Sequence, residues 1–236
     1  MSHTQQSSVT PQHVAIIMDG NRRWARANKL EALKGHHYVA NKVIQPLVER
    51  CVELKIPYLT LWAFSTENWH RDVEEVRGLM ELFRQAFTKN AAELHEKGVK
   101  LNTIGDLCRF PQDIQDNISK WIETTSQNEN ITVTFALNYG GRDELVRAVN
   151  AAVQAQDNMT QQLSAEDISI HLDTKKIPDP DLIIRPGGEQ RLSGFMPWQA
   201  VYAELYFTEV LMPDFSPTEL DKAIEEYASR QRRFGA

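Results

Sequence analysis

His13-Val-Ala-Ile-Ile-Met-Asp-Gly-Asn-Arg-Arg-Trp24 passes from an unbroken apolar run straight into a polar turn. Val14–Met18 carries no polar side chain on either face, the pattern of a strand covered on both sides. Gly20 permits a tight turn and Asn21 opens a helical stretch, so the segment reads as strand, turn and helix.

The same alternation continues down the chain. Tyr58–Phe64, Val99–Ile104, Ile131–Leu137, Asp181–Ile184 and Glu204–Phe207 read as further strands. Between them the apolar positions recur at helical spacing. His36–Leu54 places Val39, Val43, Leu47, Cys51 and Leu54 on one face, and Val73–Lys97 does the same with Val76, Leu79, Met80, Phe83, Phe87, Ala91 and Leu94. Shorter helical patterns lie around Ile114–Ile122, Leu145–Val153 and Leu220–Tyr227. Strands and helices taking turns predict an α/β fold, a mostly parallel central sheet surrounded by helices. No internal repeat or linker divides the chain. Residues 1–12 are polar and read as a disordered N-terminus, leaving 13–236 as one domain.

Composition narrows the function. A formal charge of -6 excludes a general nucleic-acid binder, which needs a basic face. Cys51 and Cys108 have no metal-type spacing, and Cys51 falls on an apolar helix face as a buried thiol would. That fits a reducing, cytoplasmic setting. No apolar run approaches the ~18 residues of a membrane span, so membrane contact is expected to be peripheral at most.

In open parallel sheets the ligand sits beyond the carboxyl ends of the strands. Three segments in such places are unusual. Asp19-Gly-Asn-Arg-Arg-Trp24 follows the first strand. It reads either as a phosphate cradle at a helix start or as a plain capped turn. A carboxylate beside phosphate calls for a cation between them, and Mg²⁺ commonly takes one or two carboxylates together with phosphate oxygens. Phe64-Ser-Thr-Glu-Asn-Trp-His-Arg71 follows the second strand, either as a polar binding loop beside Trp69 or as a capped connection with Trp69 packed. Arg185-Pro-Gly-Gly-Glu-Gln-Arg-Leu-Ser193 follows the fifth. Two arginines on a glycine-rich loop suit a bidentate grip on a diphosphate, and a solvated loop is the alternative. His36-His37 is no metal pair, because adjacent helical residues point apart. Gly35-His36 reads as a cap or a phosphate contact, and Arg230, Arg232 and Arg233 complement a helix end.

Together these residues resemble the cis-prenyltransferase family, whose bacterial members make undecaprenyl diphosphate. The resemblance runs from His13 to Phe234. It rests on the His13–Ala25 stretch, Ala63-Phe-Ser-Thr-Glu-Asn-Trp69, Asn138-Tyr-Gly-Gly-Arg142, Arg185–Ser193, and Trp198-Gln with Tyr202-Ala-Glu-Leu-Tyr-Phe207, in the family's order.

What the resemblance implies is specific. The enzyme would condense isopentenyl diphosphate with an allylic diphosphate such as farnesyl diphosphate, using Mg²⁺, to give a cis-polyprenyl diphosphate. Asp19 would hold the metal with Glu204 assisting. Gly20, Asn21, Arg22, Arg23 and Trp24 would wrap the allylic diphosphate, with His36 in contact. Ser65, Asn68, Trp69 and Arg71 would position the substrates, Asn68 with a catalytic part beside Asp19. Arg185, Arg191 and Ser193 would hold isopentenyl diphosphate. The family fold encloses an apolar tunnel, for which the Val76–Leu94 face is a wall, and the Tyr202–Phe207 strand resembles the region through which family members form homodimers. Trans-type synthases use adjacent aspartates, and this chain has none.

One departure bears on the substrate. Many relatives carry an arginine for the allylic diphosphate where this chain has Ala32, with Lys34 as the nearest replacement. A short-chain or irregular synthase of the lavandulyl type is the rival enzyme on the same fold. A silent lipid-binding subunit would be expected to lose the Asp19 or Arg185 motif, and both are present.

Overall fold

The computed structural model describes residues 10–155 and 162–230. Six strands form one sheet: β1 (His13–Ile17), β2 (Tyr58–Ser65), β3 (Val99–Ile104), β4 (Ile131–Tyr139), β5 (Leu182–Pro186) and β6 (Glu204–Thr208). Their order is β3-β4-β2-β1-β5-β6, and every neighbouring pair is parallel. All six expected strands are present: β1 and β5 are buried along their whole length, while β3 and β6, at the sheet edges, carry polar residues among the apolar ones.

The sheet is covered on both faces, and β1 shows how. Val14 and Ile16 point into one core with Leu47, Leu59 and Leu220, while Ala15 and Ile17 point into another with Tyr139, Phe195 and Met196. A strand buried on both sides cannot alternate apolar with polar residues, so its unbroken run is what the fold demands.

Helices α1 (Asn21–Ala27), α2 (Ala32–Tyr38) and α3 (Ile44–Glu53) connect β1 to β2. After β2 come α4 (Val73–Gln85) and α5 (Ala91–Glu96), which lead to β3. Then follow α6 (Gln112–Thr124), α7 (Gly141–Gln154), α8 (Ala165–Ser169) and α9 (Pro217–Ser229). The short α8 carries no apolar periodicity, and its start is set instead by a capping box between Ser164 and Asp167.

Both long helices expected from periodicity are interrupted. A π-helical segment, Val39–Val43, separates α2 from α3, and a second, Ala86–Asn90, separates α4 from α5. Pro46 accounts for the first. It has no N–H for the carbonyl four residues back and its ring crowds that carbonyl, so the turn before it widens. In the second, the Thr88 hydroxyl donates to the Arg84 carbonyl at 2.6 Å and competes with the helix's own bonding.

The N-terminal boundary lies earlier than expected. Pro11 is buried and the Gln12 N–H donates to Asp181 Oδ2 at 2.7 Å, so the chain is anchored ahead of His13. The rest of the expected tail, residues 1–9, lies outside the described residues, as do Arg232 and Arg233. Arg230 does lie at the end of α9, where it pairs with Glu204 and Glu226. Cys51 is fully buried and Cys108 exposed, and neither is in a disulfide. Among the described residues no helix is long and apolar enough to cross a membrane.

Candidate active site

The chain leaves β1 toward β2 on one side and β5 toward β6 on the other, which makes the carboxyl ends of β1 and β5 the switch point of the sheet. Asp19 and Arg185 meet there. Arg185 Nη2 donates to Asp19 Oδ2 at 3.0 Å, and Arg185 is almost wholly buried. Arg23 closes the other side, with Nη2 3.1 Å from Asp19 Oδ1 and Nη1 donating to the Gly187 carbonyl at 2.6 Å. Burial by itself would raise the Asp19 carboxyl. The Arg185 hydrogen bond, the Gly20 N–H and the charges of Arg23 and Arg185 outweigh it and hold the group below its ordinary value.

Gly20 sits at φ +100°, and a side chain there would also strike Leu211, so glycine is required for the turn into α1. No side chain caps the first turn of α1. Gly35 lets α2 approach α1 closely, since a Cβ at that position would stand 2.0 Å from the Asn21 carbonyl oxygen. That approach brings His36 against Asn21, whose Nδ2 lies 3.2 Å from His36 Nδ1.

Arg22, Arg23, Arg26, His36 and Arg71 line a polar mouth together with Asp19, Gly20 and Asn21. Four arginines around one carboxylate make this an anion site, in an otherwise acidic chain. No sequence motif marks Arg26, and only the fold brings it to the mouth. Glu75 holds two of the four, accepting from Arg71 Nη1 at 3.0 Å and lying 3.6 Å from Arg22 Nε.

Behind the mouth lies an apolar cavity of ≈ 270 Å³. Asp19, Asn21, His36, Ser65, Asn68, Arg71 and Arg185 stand at its head, and Phe87, Leu94, Leu101 and Phe135 line its body. Asn68 is fixed by its Oδ1, which accepts from the Ser65 N–H at 3.1 Å. Of the expected tunnel face, Leu79, Phe83, Phe87, Ala91 and Leu94 line the cavity, whereas Val76 and Met80 do not.

Four buried side-chain polar atoms among the described residues have no hydrogen-bond partner, and three belong to this cleft: Asn21 Oδ1, His36 Nε2 and Arg185 Nε. Buried polar groups are nearly always satisfied, so a cluster of orphans at the head of a cavity marks where a polar ligand belongs.

Other expected residues lie elsewhere. Trp69 packs edge-on against Phe64 and Phe110 under the Arg109 guanidinium, and its Nε1–H donates to Asn138 Oδ1 at 2.7 Å. It supports the Ser65–Arg71 loop from behind and does not line the cavity. Trp24 turns outward, with Nε1–H donating to Asp214 Oδ1 at 2.9 Å and its ring against Tyr38. The Arg191 guanidinium is exposed and paired with Glu189, while its carbonyl accepts from Arg185 Nη1. Ser193 Oγ accepts from the same Nη1 at 2.9 Å.

Glu204 does not join Asp19 within this chain. It opens β6, pairs in register with Leu182, and is bound by Arg230 Nη1 at 2.7 Å. Leu182 is level with Val14, so Asp19 stands five residues, or about 16 Å, further along the strand direction. Within one chain the two carboxylates therefore lie at opposite ends of the sheet, and Asp19 alone stands in the cleft. Ala32 faces an outer groove with Glu74, Glu75 and Glu81, and neither it nor Lys34 lines the mouth. Arg22 and Arg26 supply positive charge there instead.

The family model described as "Putative undecaprenyl diphosphate synthase" matches residues 17–235. The isoprenyl transferase of Clostridium perfringens is 45% identical over 230 residues, covering 95% of this chain and 90% of that protein. That of Rhizobium meliloti is 46% identical over 228 residues, covering 95% and 92%. Lavandulyl diphosphate synthase from Lavandula x intermedia, solved with dimethylallyl diphosphate, superimposes with a TM-score of 0.91 at 36% identity, covering 96% of this chain and 99% of that one. A probable undecaprenyl diphosphate synthase from Campylobacter jejuni gives 0.81 at 34% identity, covering 97% and 100%.

Proposed function

The chain belongs to the undecaprenyl diphosphate synthase family of prenyltransferases, and from that premise we propose that it adds isopentenyl diphosphate to an allylic primer such as farnesyl diphosphate with Mg²⁺. The activity itself, cis-prenyl chain elongation, follows from the family. The observation that carries the finer reading is the trio of orphaned polar atoms between the arginine-lined mouth and the apolar cavity. An amphiphile with an anionic head and a hydrocarbon tail matches both halves.

On this reading the allylic diphosphate lies at the start of α1. Arg22, Arg23 and Arg71 face its charge and His36 Nε2–H donates to it. Arg185 and Ser193 hold the second diphosphate, with Arg191 closing over it from the loop. Gripping both heads sets the alkene against the allylic carbon, converting an encounter into an oriented step. The carbon–oxygen bond to diphosphate breaks, the new carbon–carbon bond forms and a proton leaves the isopentenyl unit. The arginines stabilise the departing negative charge.

Asp19 suits Mg²⁺ as a single ionised carboxylate beside a diphosphate site, and Asn21 Oδ1 is an acceptor free for a metal-bound water. Bound there, the ion would neutralise charge on the leaving diphosphate. Arg185 and Arg23, which pair with Asp19 here, would then turn to phosphate oxygens.

The test is incubation with labelled isopentenyl diphosphate, farnesyl diphosphate and Mg²⁺, followed by product sizing. A ladder of extended products is expected. A single irregular product would favour the lavandulyl-type reading, which the 0.91 superposition brings forward. No incorporation would overturn both. Assembly as a homodimer is part of the proposal, because β6 is an edge strand with Val201 and Tyr202 68% and 70% exposed beside it. Light scattering should then give about twice the chain mass, and a monomer would refute it.

A further inference from the structure

Between β2 and α4 the chain makes one short 3₁₀ helix, Thr66–His70. Its period of three sorts the side chains into edges, because residues i and i+3 eclipse. Ser65, Asn68 and Arg71 form the edge that stands at the head of the cavity. Glu67 and His70 form a second, exposed edge. Thr66 and Trp69 form the third, which is turned toward the carboxyl end of β4.

The helix is held together from within. Ser65 and Asn68 make a capping box, each side chain bonding the other's backbone. A segment closed in this way is a unit, and its setting against the sheet depends on what grips it from outside. That grip is Asn138. Its Oδ1 accepts from Trp69 Nε1–H at 2.7 Å and its Nδ2 donates to the Asp106 carbonyl at 2.6 Å. One buried amide on β4 thus joins the segments that follow β2 and β3. Neither end of the amide can be reversed, since the indole only donates and the carbonyl only accepts. Asn138 has φ +46°, a conformation asparagine adopts more readily than most residues. Gly140 lets the helix sit close, because a Cβ there would stand 2.6 Å from Thr66 Oγ1. Among the described residues, no other side chain of Thr66–His70 hydrogen-bonds outside the Ser65–Arg71 segment. The Trp69 ring also packs on Phe64 and Phe110 under Arg109, but apolar contacts are non-directional and do not fix an orientation.

We propose that Asn138 is a positioning residue for the condensation: through Trp69 it sets where the Asn68 edge of the 3₁₀ helix stands against the reacting carbons. The inference rests on the elongation reading. It assigns a part to the Asn138-Tyr-Gly-Gly-Arg142 stretch, none of whose residues lines the cavity or the mouth. Arg71 has a second hold in Glu75, whereas the Asn68 side chain has none outside its own loop. Releasing Trp69 therefore displaces Asn68 and leaves Arg71 in place. The chemical step suffers more than primer binding.

The test is a double-mutant cycle. Asn138→Gly keeps the left-handed backbone and loses the amide, and Trp69→Phe keeps a ring and loses the N–H. Single addition of labelled isopentenyl diphosphate to farnesyl diphosphate gives kcat, and equilibrium binding of farnesyl diphosphate alone gives the primer Kd. Each single variant should lose about 10-fold or more in kcat, with the primer Kd within about threefold of wild type. The double variant should lose little more than the worse single, since both changes remove one bond. His13→Gln is the control for stability: it alters a buried, hydrogen-bonded side chain at the other end of the sheet and should keep the wild-type kcat. Circular dichroism establishes that each variant is folded, and if Asn138→Gly does not fold, Trp69→Phe alone decides. Wild-type kcat in either folded variant overturns the proposal. So do losses that multiply in the double variant, losses that fall equally on kcat and primer affinity, or a comparable loss of kcat in His13→Gln. A wild-type protein that adds no isopentenyl unit overturns the functional reading and this proposal with it, a separate and recognisable result.

Discussion

Asn21 fixes the proton on His36. Its Nδ2 contacts the Met18 carbonyl at 3.3 Å and His36 Nδ1 at 3.2 Å. A carbonyl only accepts, so Nδ2 is the donor to both, Nδ1 is an acceptor and the ring hydrogen sits on Nε2. Burial, then the charges of Arg71, Arg22 and His37, lowers the imidazole to about 3. The free protein therefore presents a neutral N–H donor, unpartnered, to the mouth of the cleft.

The first prediction follows. His36→Ala should lower kcat/KM for the allylic primer by roughly 10- to 100-fold, the value of about 1.5–3 kcal/mol for a hydrogen bond to a charged group. His36→Gln, which keeps a donor, should lose less. Nitrogen-15 spectra should show the Nε2–H tautomer from pH 5 to 8. An alanine variant with wild-type primer kinetics would remove His36 from the site.

Asp19→Asn is the second. It preserves shape but removes the charge that faces Arg185, Arg23 and any cation. Turnover should fall by at least about 10³-fold, or about 4 kcal/mol of transition-state stabilisation. The circular dichroism spectrum should remain that of the folded chain. Near-normal turnover at saturating Mg²⁺ would contradict the assignment.

Much of this site is legible in the sequence for a physical reason. Val14–Ile17 announces a strand buried on both faces, and whatever follows such a strand lies at the ligand end of a parallel sheet. Asp19, Asn21, Arg23 and Arg185 all fall in that region, and the structure brings them together in the cleft. Trp69 and Arg191 turn away from the cavity, because segment position dictates where the backbone goes and not where the side chain turns. Trp69 had an aromatic pocket waiting behind its loop, and Arg191 had Glu189 beside it. Glu204 is separated from Asp19 within the chain for a different reason. It begins its strand, and only the strand's far end reaches the site. The π segments were hidden because apolar spacing continues through them, while Pro46 and Thr88 act on backbone bonding that periodicity does not register.

His13 carries the third prediction, on stability. Its Nδ1–H donates to the Pro178 carbonyl at 2.7 Å, and Nε2 accepts from the Thr60 hydroxyl at 2.8 Å. Burial chiefly lowers its pKa from 6.5 to about 4, so the folded state holds it neutral. Between those values the unfolded chain binds the extra proton. The contribution is complete above pH 6.5 and is lost as pH falls toward 4, a change on the order of 3 kcal/mol. Urea midpoints measured from pH 7 to 4 should fall more steeply for wild type than for His13→Gln. Parallel curves would dismiss the role.

Arg191→Ala, the fourth, separates fold from binding. The side chain is exposed and its partner Glu189 is on the same loop, so the melting temperature should hardly move. Affinity for isopentenyl diphosphate should weaken by about 1.5–3 kcal/mol if the guanidinium swings onto the diphosphate, with the allylic primer little affected. Equal weakening of both substrates would count against that assignment.

The fifth concerns the arginine that this chain lacks at position 32. Ala32 opens α2 on the side of an outer groove where Glu74, Glu75 and Glu81 gather. A guanidinium introduced there meets carboxylates before it meets the mouth, and Glu75 is already engaged by Arg71 and Arg22. Arg22, half-exposed and lining the mouth from α1, is placed to do the work instead. Arg22→Ala should therefore weaken the allylic primer about 10-fold, near 1.4 kcal/mol, while Ala32→Arg changes it less than about threefold. Arg22→Lys should recover only part, since an ammonium is a mobile point charge without the planar fork. Primer dissociation constants for the three variants decide the matter. If Ala32→Arg tightens the primer tenfold and Arg22→Ala changes nothing, the mouth does lack a charge and Arg22 does not supply it.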